Sequence, residues 1–273
     1  MRETIAFLGA GSMAEAIISG MTANKIVSTQ QIIATNRSNQ KRLLELEGTY
    51  HIKTSLDKKE VIEQSDILIL AMKPKDIKVA IAEIKSLLTE NKIIVSLLAG
   101  ISTGFIQQQL ATKNPIVRVM PNTSAMIGQS ATTITSGKYA SAEHVHLIEK
   151  LMTSIGTTIV IKEEDMDAFT ALAGSGPAFY YYMVEAMEQF VEAKGLDKEI
   201  AKPLMVQTIK GAAAMLEASH DSPKVLREKI TSPGGTTETG INTLSEHRFQ
   251  AAIIACLEQA TLRSKELRDL FEK

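Results

Sequence analysis

The chain has 273 residues, 44% of them apolar, and 30 basic side chains balance 31 acidic ones for a formal net charge of −1. That balance excludes a nucleic-acid binder driven by a bulk positive field, while leaving room for a local anion site. A single cysteine, Cys256 in AAIIACL, excludes an intrachain disulfide, and no apolar run approaches the roughly 18 residues of a membrane span.

The opening MRETIAFLGAGSMAEAIISGM carries Glu3, Glu15 and glycines where a signal peptide needs an unbroken apolar run. It predicts a strand, a turn and a helix in a cytoplasmic protein. Short β-rich runs at 4–8, 31–35, 66–71, 92–97 and 116–119 then alternate with helical spacing at 12–24, 38–47 and 74–88. The runs ILIL and IIVSLL are continuously apolar, as expected of parallel strands covered on both faces. Together these predict an α/β, Rossmann-like, doubly wound N-terminal domain with right-handed crossovers.

FLGAGSMAEA, residues 7–16, is the first βα turn of that domain. Gly9 permits a tight turn off the strand, Gly11 lets a pyrophosphate approach the backbone, and Ala14 lets the helix pack on the sheet. Ala10, Ser12 and Met13 complete the turn, at a helix start whose amides and dipole favour an anion. A glycine-rich turn without a ligand is the alternative, but the βαβ context favours a dinucleotide.

The second strand runs into ATNRSNQKR, with no acid to bind a ribose 2′-hydroxyl. Asn36 and Arg37 there suit a 2′-phosphate, which predicts NADPH, with NADH possible; otherwise Arg37 is an ordinary surface residue. AMKP supplies Ala71, Met72, Lys73 and Pro74, SLLAG supplies Ala99 and Gly100, and MPNTSAMIG supplies Asn122 and Thr123. All lie after strands, on the sheet edge where ligands bind in this architecture.

Residues 131–135 and 157–161 read as two further strands around a helix at 142–154. Beyond 163 only helical periodicity remains, which divides the chain into domains 1–162 and 163–273. Within 177–194, Phe179, Met183, Ala186, Met187 and Phe190 share one helical face, for core packing or for a subunit interface. Cys256 reads as a small packing residue. The five histidines form no metal signature, and His144 with His146 reads as a surface-helix pair, so no metal is expected.

Two turns interrupt the helical half: LAGSGPAF at 172–179 and ITSPGGTTETGINTL at 230–244. Both place Gly beside Pro and hydroxyls ahead of a helix, an arrangement that caps helices and suits a carboxylate. Together with FLGAGSMAEA, DILILAMKP and VRVMPNT, these stretches resemble the pyrroline-5-carboxylate reductases along the whole chain.

The resemblance implies an NAD(P)H-binding domain followed by an all-α dimerisation domain, in a homodimer often built into larger rings such as a decamer. It implies reduction of the C=N bond of 1-pyrroline-5-carboxylate to L-proline, without metal, nucleic acid or membrane. It places the pyrophosphate on Gly9, Ala10, Gly11, Ser12 and Met13, the 2′-phosphate on Asn36 and Arg37, and further cofactor contacts on Ala71, Met72, Lys73, Pro74, Ala99 and Gly100. The substrate loop is Ser232, Gly234, Gly235, Thr236 and Thr237. Thr237 is expected to bond the ring nitrogen, and the amides of Gly235 and Thr236 to hold the carboxylate. Where many relatives place an asparagine on the adenosine ribose, this chain has Lys58. A 3-hydroxyacid dehydrogenase or imine reductase of the same fold would commit a helical lysine as acid. A non-catalytic NADP-binding regulatory protein would have no use for the PGGTT loop.

Overall fold

A computed structural model describes residues 2–272. The chain forms two compact units, Met1–Pro177 with Glu258–Lys273, and Ala178–Leu257. No helix among the described residues is long and apolar enough to cross a membrane.

The first unit opens with β1 (Ile5–Leu8), α1 (Ser12–Ala23), β2 (Ile32–Thr35), α2 (Gln40–Tyr50) and the two-residue β3 (Lys53–Thr54). It continues with α3 (Lys58–Glu63), β4 (Ile67–Leu70), α4 (Ile77–Ile84), β5 (Ile93–Ser96), α5 (Thr103–Leu110) and β6 (Ile116–Met120). Then come β7 (Ser130–Ser136), α6 (Ala142–Met152), β8 (Gly156–Val160) and α7 (Met166–Phe169). The sheet order is β3-β2-β1-β4-β5-β6-β7-β8, parallel throughout except between β6 and β7. The chain therefore winds outward in both directions from the β1–β4 pair, which makes that pair the switch point where a ligand crevice opens.

Alternation along β1 explains the layering. Ile5 and Phe7 join one core with α1, α2 and α6, while Ala6 and Leu8 join a second core with α3, α4 and α5. All four are buried to within 4%. Such double burial requires the continuous apolarity seen in β4 and β5, and each fully buried large aliphatic contributes about 1.5–3 kcal/mol.

The strand and helix positions agree with the sequence to within a few residues, and the differences are local. The helix expected at 74–88 keeps α-geometry only over α4, between 3-10 turns at Pro74–Asp76 and Lys85–Leu87. Gln31 closes a 3-10 turn capped by Ser28 instead of opening β2. Ser38 lies outside α2, which Asn39 caps by accepting from the Arg42 amide. His144 lies in a capping box with Ser141, so it is a helix-start residue more than half of a surface pair.

The remaining helices are α8 (Gly176–Ala193), α9 (Lys198–Ala218), α10 (Pro223–Lys229), α11 (Thr236–Glu246) and α12 (Phe249–Glu272). The second unit spans most of α8, all of α9, α10 and α11, and the start of α12. Core packing does not account for the apolar face of α8. Phe190 is 58% exposed and Met187 39%, and Tyr180, Tyr181, Tyr182, Leu204 and Ile254 are exposed as well. So much uncovered apolar surface marks an interaction face. Cys256 is only half-buried.

Within the first unit, the end of α12 is tied down by charge. Asp167 on α7 is 1% exposed; its carboxylate accepts from Ser264 Oγ at 2.7 Å and Arg268 Nη1 at 2.6 Å.

Candidate active site

The crevice at the switch point is built by two backbone bonds. Gly9 N donates to Thr35 O at 2.9 Å, and Ala71 N donates to Leu8 O at 2.9 Å, so the ends of β1, β2 and β4 are locked side by side. Gly9 sits at φ +116°, and a Cβ there would lie 2.6 Å from both the carbonyl carbon and the oxygen of Ala71. Only glycine fits. Gly11 precedes α1 as its cap and has no atom within 4 Å of a would-be Cβ. Its bare side opens to solvent at a helix start with no side-chain cap, the geometry of a phosphate cradle. Ala14 is buried against the sheet, whereas Ser12 is exposed and Met13 half-buried.

The cradle is braced from α2. Arg42 Nε donates to Ala10 O at 3.0 Å, and its Nη2 bonds Glu15, which also accepts from the Tyr50 hydroxyl at 3.2 Å. The Glu15 hydrogen bond holds the Arg42 guanidinium above its ordinary value, and burial pushes the Tyr50 phenol up. A carboxylate in the first turn of α1 would repel a pyrophosphate; Arg42 offsets its charge and fixes the turn at once.

Beside the cradle lies a cavity of about 130 Å³, lined in part by Gly9, Thr35, Asn36, Arg37, Met72 and Val79. Thr35 is 1% exposed, and its Oγ1 has no hydrogen-bond partner. A buried, unpartnered hydroxyl on a cavity wall is a group waiting for a ligand. Arg37 is exposed and, among the described residues, forms no ion pair. These features fit a dinucleotide with a charged adenosine end.

The structure redirects several expected site residues. The Asn36 side chain is spent on its own loop, donating to Asn39 O at 2.8 Å and accepting from the Ser38 and Asn39 amides at 3.1 and 2.7 Å. It shapes the loop that carries Arg37. Asn122 behaves likewise, accepting from Ser124 N at 3.1 Å and donating to Ala173 O at 3.0 Å. Ala173 belongs to a π-helical stretch, Thr170–Gly174, that runs into the LAGSGPAF segment. Gly100 is buried, and its would-be Cβ lies 3.2 Å from Arg268 N, so close approach of α12 explains that glycine. Ala99 and Lys73 are exposed, Ala71, Met72 and Pro74 half-buried, and Pro74 opens the 3-10 turn after β4. Lys58 is engaged with Glu83 in an ion pair on the cavity wall.

In the second unit, Ser232-Pro233-Gly234-Gly235 forms a β-turn closed by Gly235 N donating to Ser232 O at 3.0 Å. Gly234 takes φ +68°, as the third position of a type II turn demands, with proline before it. Pro233 therefore shapes the turn, two residues ahead of the α11 cap, Gly235. The Gly235 amide is already used, which removes it from the expected carboxylate-binding pair. The amides at the start of α11 belong to Thr236, Thr237 and Glu238, which have no carbonyl one turn back. Glu238 Oε2 accepts from Gly234 N at 2.7 Å and pins the turn to the helix. Thr231, Thr239 and Thr243 hydroxyls donate to carbonyls one turn back, at 2.7, 3.2 and 3.0 Å. Among the described residues the hydroxyls of Ser232, Thr236 and Thr237 have no partner, and of these three only Thr237 is half-buried.

The model for pyrroline-5-carboxylate reductase dimerisation matches residues 163–267, and one for NADP oxidoreductase, coenzyme F420-dependent, matches residues 4–100. The chain is 47% identical to pyrroline-5-carboxylate reductase 1 of Bacillus subtilis, over 100% of this chain and 92% of that protein. The chain belongs to the pyrroline-5-carboxylate reductase family. A plant member of the family, from Arabidopsis thaliana, is 37% identical over 96% of this chain and 95% of its own. The family member from Coxiella burnetii has a solved structure that superposes with TM-score 0.90 at 34% identity, covering 98% of this chain and 99% of that one. The Plasmodium falciparum member, solved with NADP bound, gives TM-score 0.89 at 28% identity, covering 98% of each chain.

Proposed function

We propose that this chain reduces 1-pyrroline-5-carboxylate to L-proline with NADPH, NADH serving as a weaker donor. The observation that carries this reading is similarity along nearly the whole chain, at 47% and 37% identity, to named reductases of that imino acid. The free hydroxyls and helix-start amides of the SPGGTT turn supply the chemistry in support. When bound, the cofactor supplies the hydride for the C=N carbon, and the ring nitrogen gains one proton. The amides of Ala10–Met13 hold its pyrophosphate, Arg37 its 2′-phosphate, and Thr35 Oγ1 hydrogen-bonds its adenosine end.

The amides of Thr236 and Glu238 bind the substrate carboxylate at the positive end of α11. Thr237 Oγ hydrogen-bonds the ring nitrogen and orients the imine; an iminium is already the better hydride acceptor, so no strong general acid is required. We assign 1–162 to cofactor binding and 163–273 to substrate binding and dimerisation. The uncovered apolar face of α8 supports a homodimer, which could build a larger ring such as a decamer, in a cytoplasmic enzyme.

NADPH oxidation with pyrroline-5-carboxylate, but none with a β-keto acid, is the expected result. Turnover with the keto acid alone would assign a dehydrogenase instead, and turnover with neither a non-catalytic cofactor-binding protein. Thr237→Ala is expected to lower kcat/KM about ten-fold, the worth of one hydrogen bond in the transition state; an unchanged value removes Thr237 from the site. Arg37→Ala is expected to raise KM for NADPH relative to NADH about ten-fold, because a charge-assisted contact to the phosphate is lost. No relative change would place the 2′-phosphate elsewhere.

A further inference from the structure

No acid stands at the end of β2, but one lines the cavity from another element. Glu83, on α4, lines the same cavity as Thr35 and Arg37, and so does Lys58 at the start of α3. The two are bonded to each other, Lys58 Nζ to Glu83 Oε2, with side chains 33% and 45% exposed. A half-exposed pair of this kind is weakly held and readily exchanged for a better partner. The cavity wall thus carries a carboxylate that suits a ribose 2′-hydroxyl and an ammonium that suits a 2′-phosphate, each restraining the other. The unpartnered Thr35 hydroxyl nearby, 1% exposed, is the independent sign that a polar ligand group belongs in this cavity.

We propose that Glu83, through its hold on Lys58, sets how strongly this protein discriminates a 2′-phosphate from a 2′-hydroxyl on the adenosine. The inference rests on the cofactor reading above and refines it. With Glu83 in place, a 2′-phosphate must draw Lys58 away from a carboxylate and then lie beside that carboxylate. A 2′-hydroxyl meets neither cost and gains an acceptor. Glu83 therefore narrows the preference for the phosphorylated form, and Lys58 and Arg37 widen it. Lys58 does not by itself make the site more phosphate-selective, because Glu83 offsets its charge.

The test uses binding, separate from turnover. Titrate the full chain with adenosine 2′,5′-bisphosphate and with adenosine 5′-monophosphate by calorimetry; the two differ only in the 2′-phosphate. Glu83→Gln keeps the size of the side chain and is expected to raise the affinity ratio in favour of the bisphosphate about five-fold, with Lys58→Met lowering it by a similar factor. Glu83→Gln combined with Lys58→Met should return towards the unmodified ratio, since the competition and its object are both gone. Circular dichroism shows whether each variant is folded, and a cavity-wall ion pair should be dispensable for folding. An unchanged ratio in Glu83→Gln, with the unmodified protein binding both nucleotides, overturns this inference alone. Failure of the unmodified protein to bind either nucleotide overturns the cofactor site and this inference together. A fall in the ratio would mean that Glu83 assists the phosphate, the reverse of the proposal.

Discussion

Gly9→Ala is expected to lower NADPH affinity by at least about 100-fold and to destabilise the first unit by about 2–4 kcal/mol. Two penalties combine at this position. The backbone holds φ +116°, and a methyl group would sit 2.6 Å from the Ala71 carbonyl. Neither side can give way cheaply. Gly9 N is bonded to Thr35 O and Ala71 N to Leu8 O, so moving either strand end breaks the ladder at the switch point. The turn must shift instead, carrying the start of α1 and its amides away from the cofactor. Gly11→Ala separates the two effects. Its added methyl meets nothing within 4 Å and its φ of −78° suits any residue, so the melting temperature should hold. Affinity should still fall about ten-fold, because the methyl occupies the side from which a phosphate approaches. Fluorescence titration with NADPH beside thermal melts of both variants checks this. Wild-type affinity in Gly11→Ala would mean that the open face of the turn is not the phosphate site.

Arg268→Met should cost about 3 kcal/mol of stability. The cause is the partner left behind. Asp167 is 1% exposed, and without Arg268 its charge keeps, among the described residues, only the Ser264 hydroxyl at 2.7 Å. Arg268, with a side chain 31% exposed, can hydrate when its partner is removed, so Asp167→Asn should cost less. The double variant should recover part of the loss, since the buried charge and its missing partner disappear together. Urea unfolding of the three proteins measures the coupling, and strict additivity would show that the pair does not act as a unit. The end of α12 also packs on Gly100, so its loosening should expose that loop to proteolysis.

What the sequence made legible was local. The apolar runs of β1, β4 and β5 announce themselves because both faces are buried, and Gly9, Gly11 and Ala14 because each answers a steric demand within a few residues. β3 was not legible: its two residues, Lys53 and Thr54, pair with Ile33 and Ala34 at the sheet edge and need no apolar side chain. Nor was the employment of polar groups. Asn36 looks like a ligand by position, yet its amide is consumed by its own loop. The Gly235 amide is consumed by the turn that makes the site attractive in the first place. Glu83 could not be seen as part of the cofactor cavity because it arrives from α4, far along the chain from Arg37. Asp167 and Arg268 lie 101 residues apart, and nothing in their neighbourhoods marks them as partners. The α8 face was legible as apolar, but whether it is covered depends on tertiary packing, which leaves Phe190 58% exposed.

The most direct test of the central claim follows the transferred hydrogen. NADPH carrying deuterium at the transferable position of the nicotinamide ring is incubated with the protein and 1-pyrroline-5-carboxylate, and the product is read by mass spectrometry and NMR. The predicted result is L-proline one mass unit heavier, with the deuterium on the δ-carbon, formed in equal amount to the oxidised cofactor. Oxidation of the cofactor without proline, or proline with no deuterium at that carbon, would contradict it.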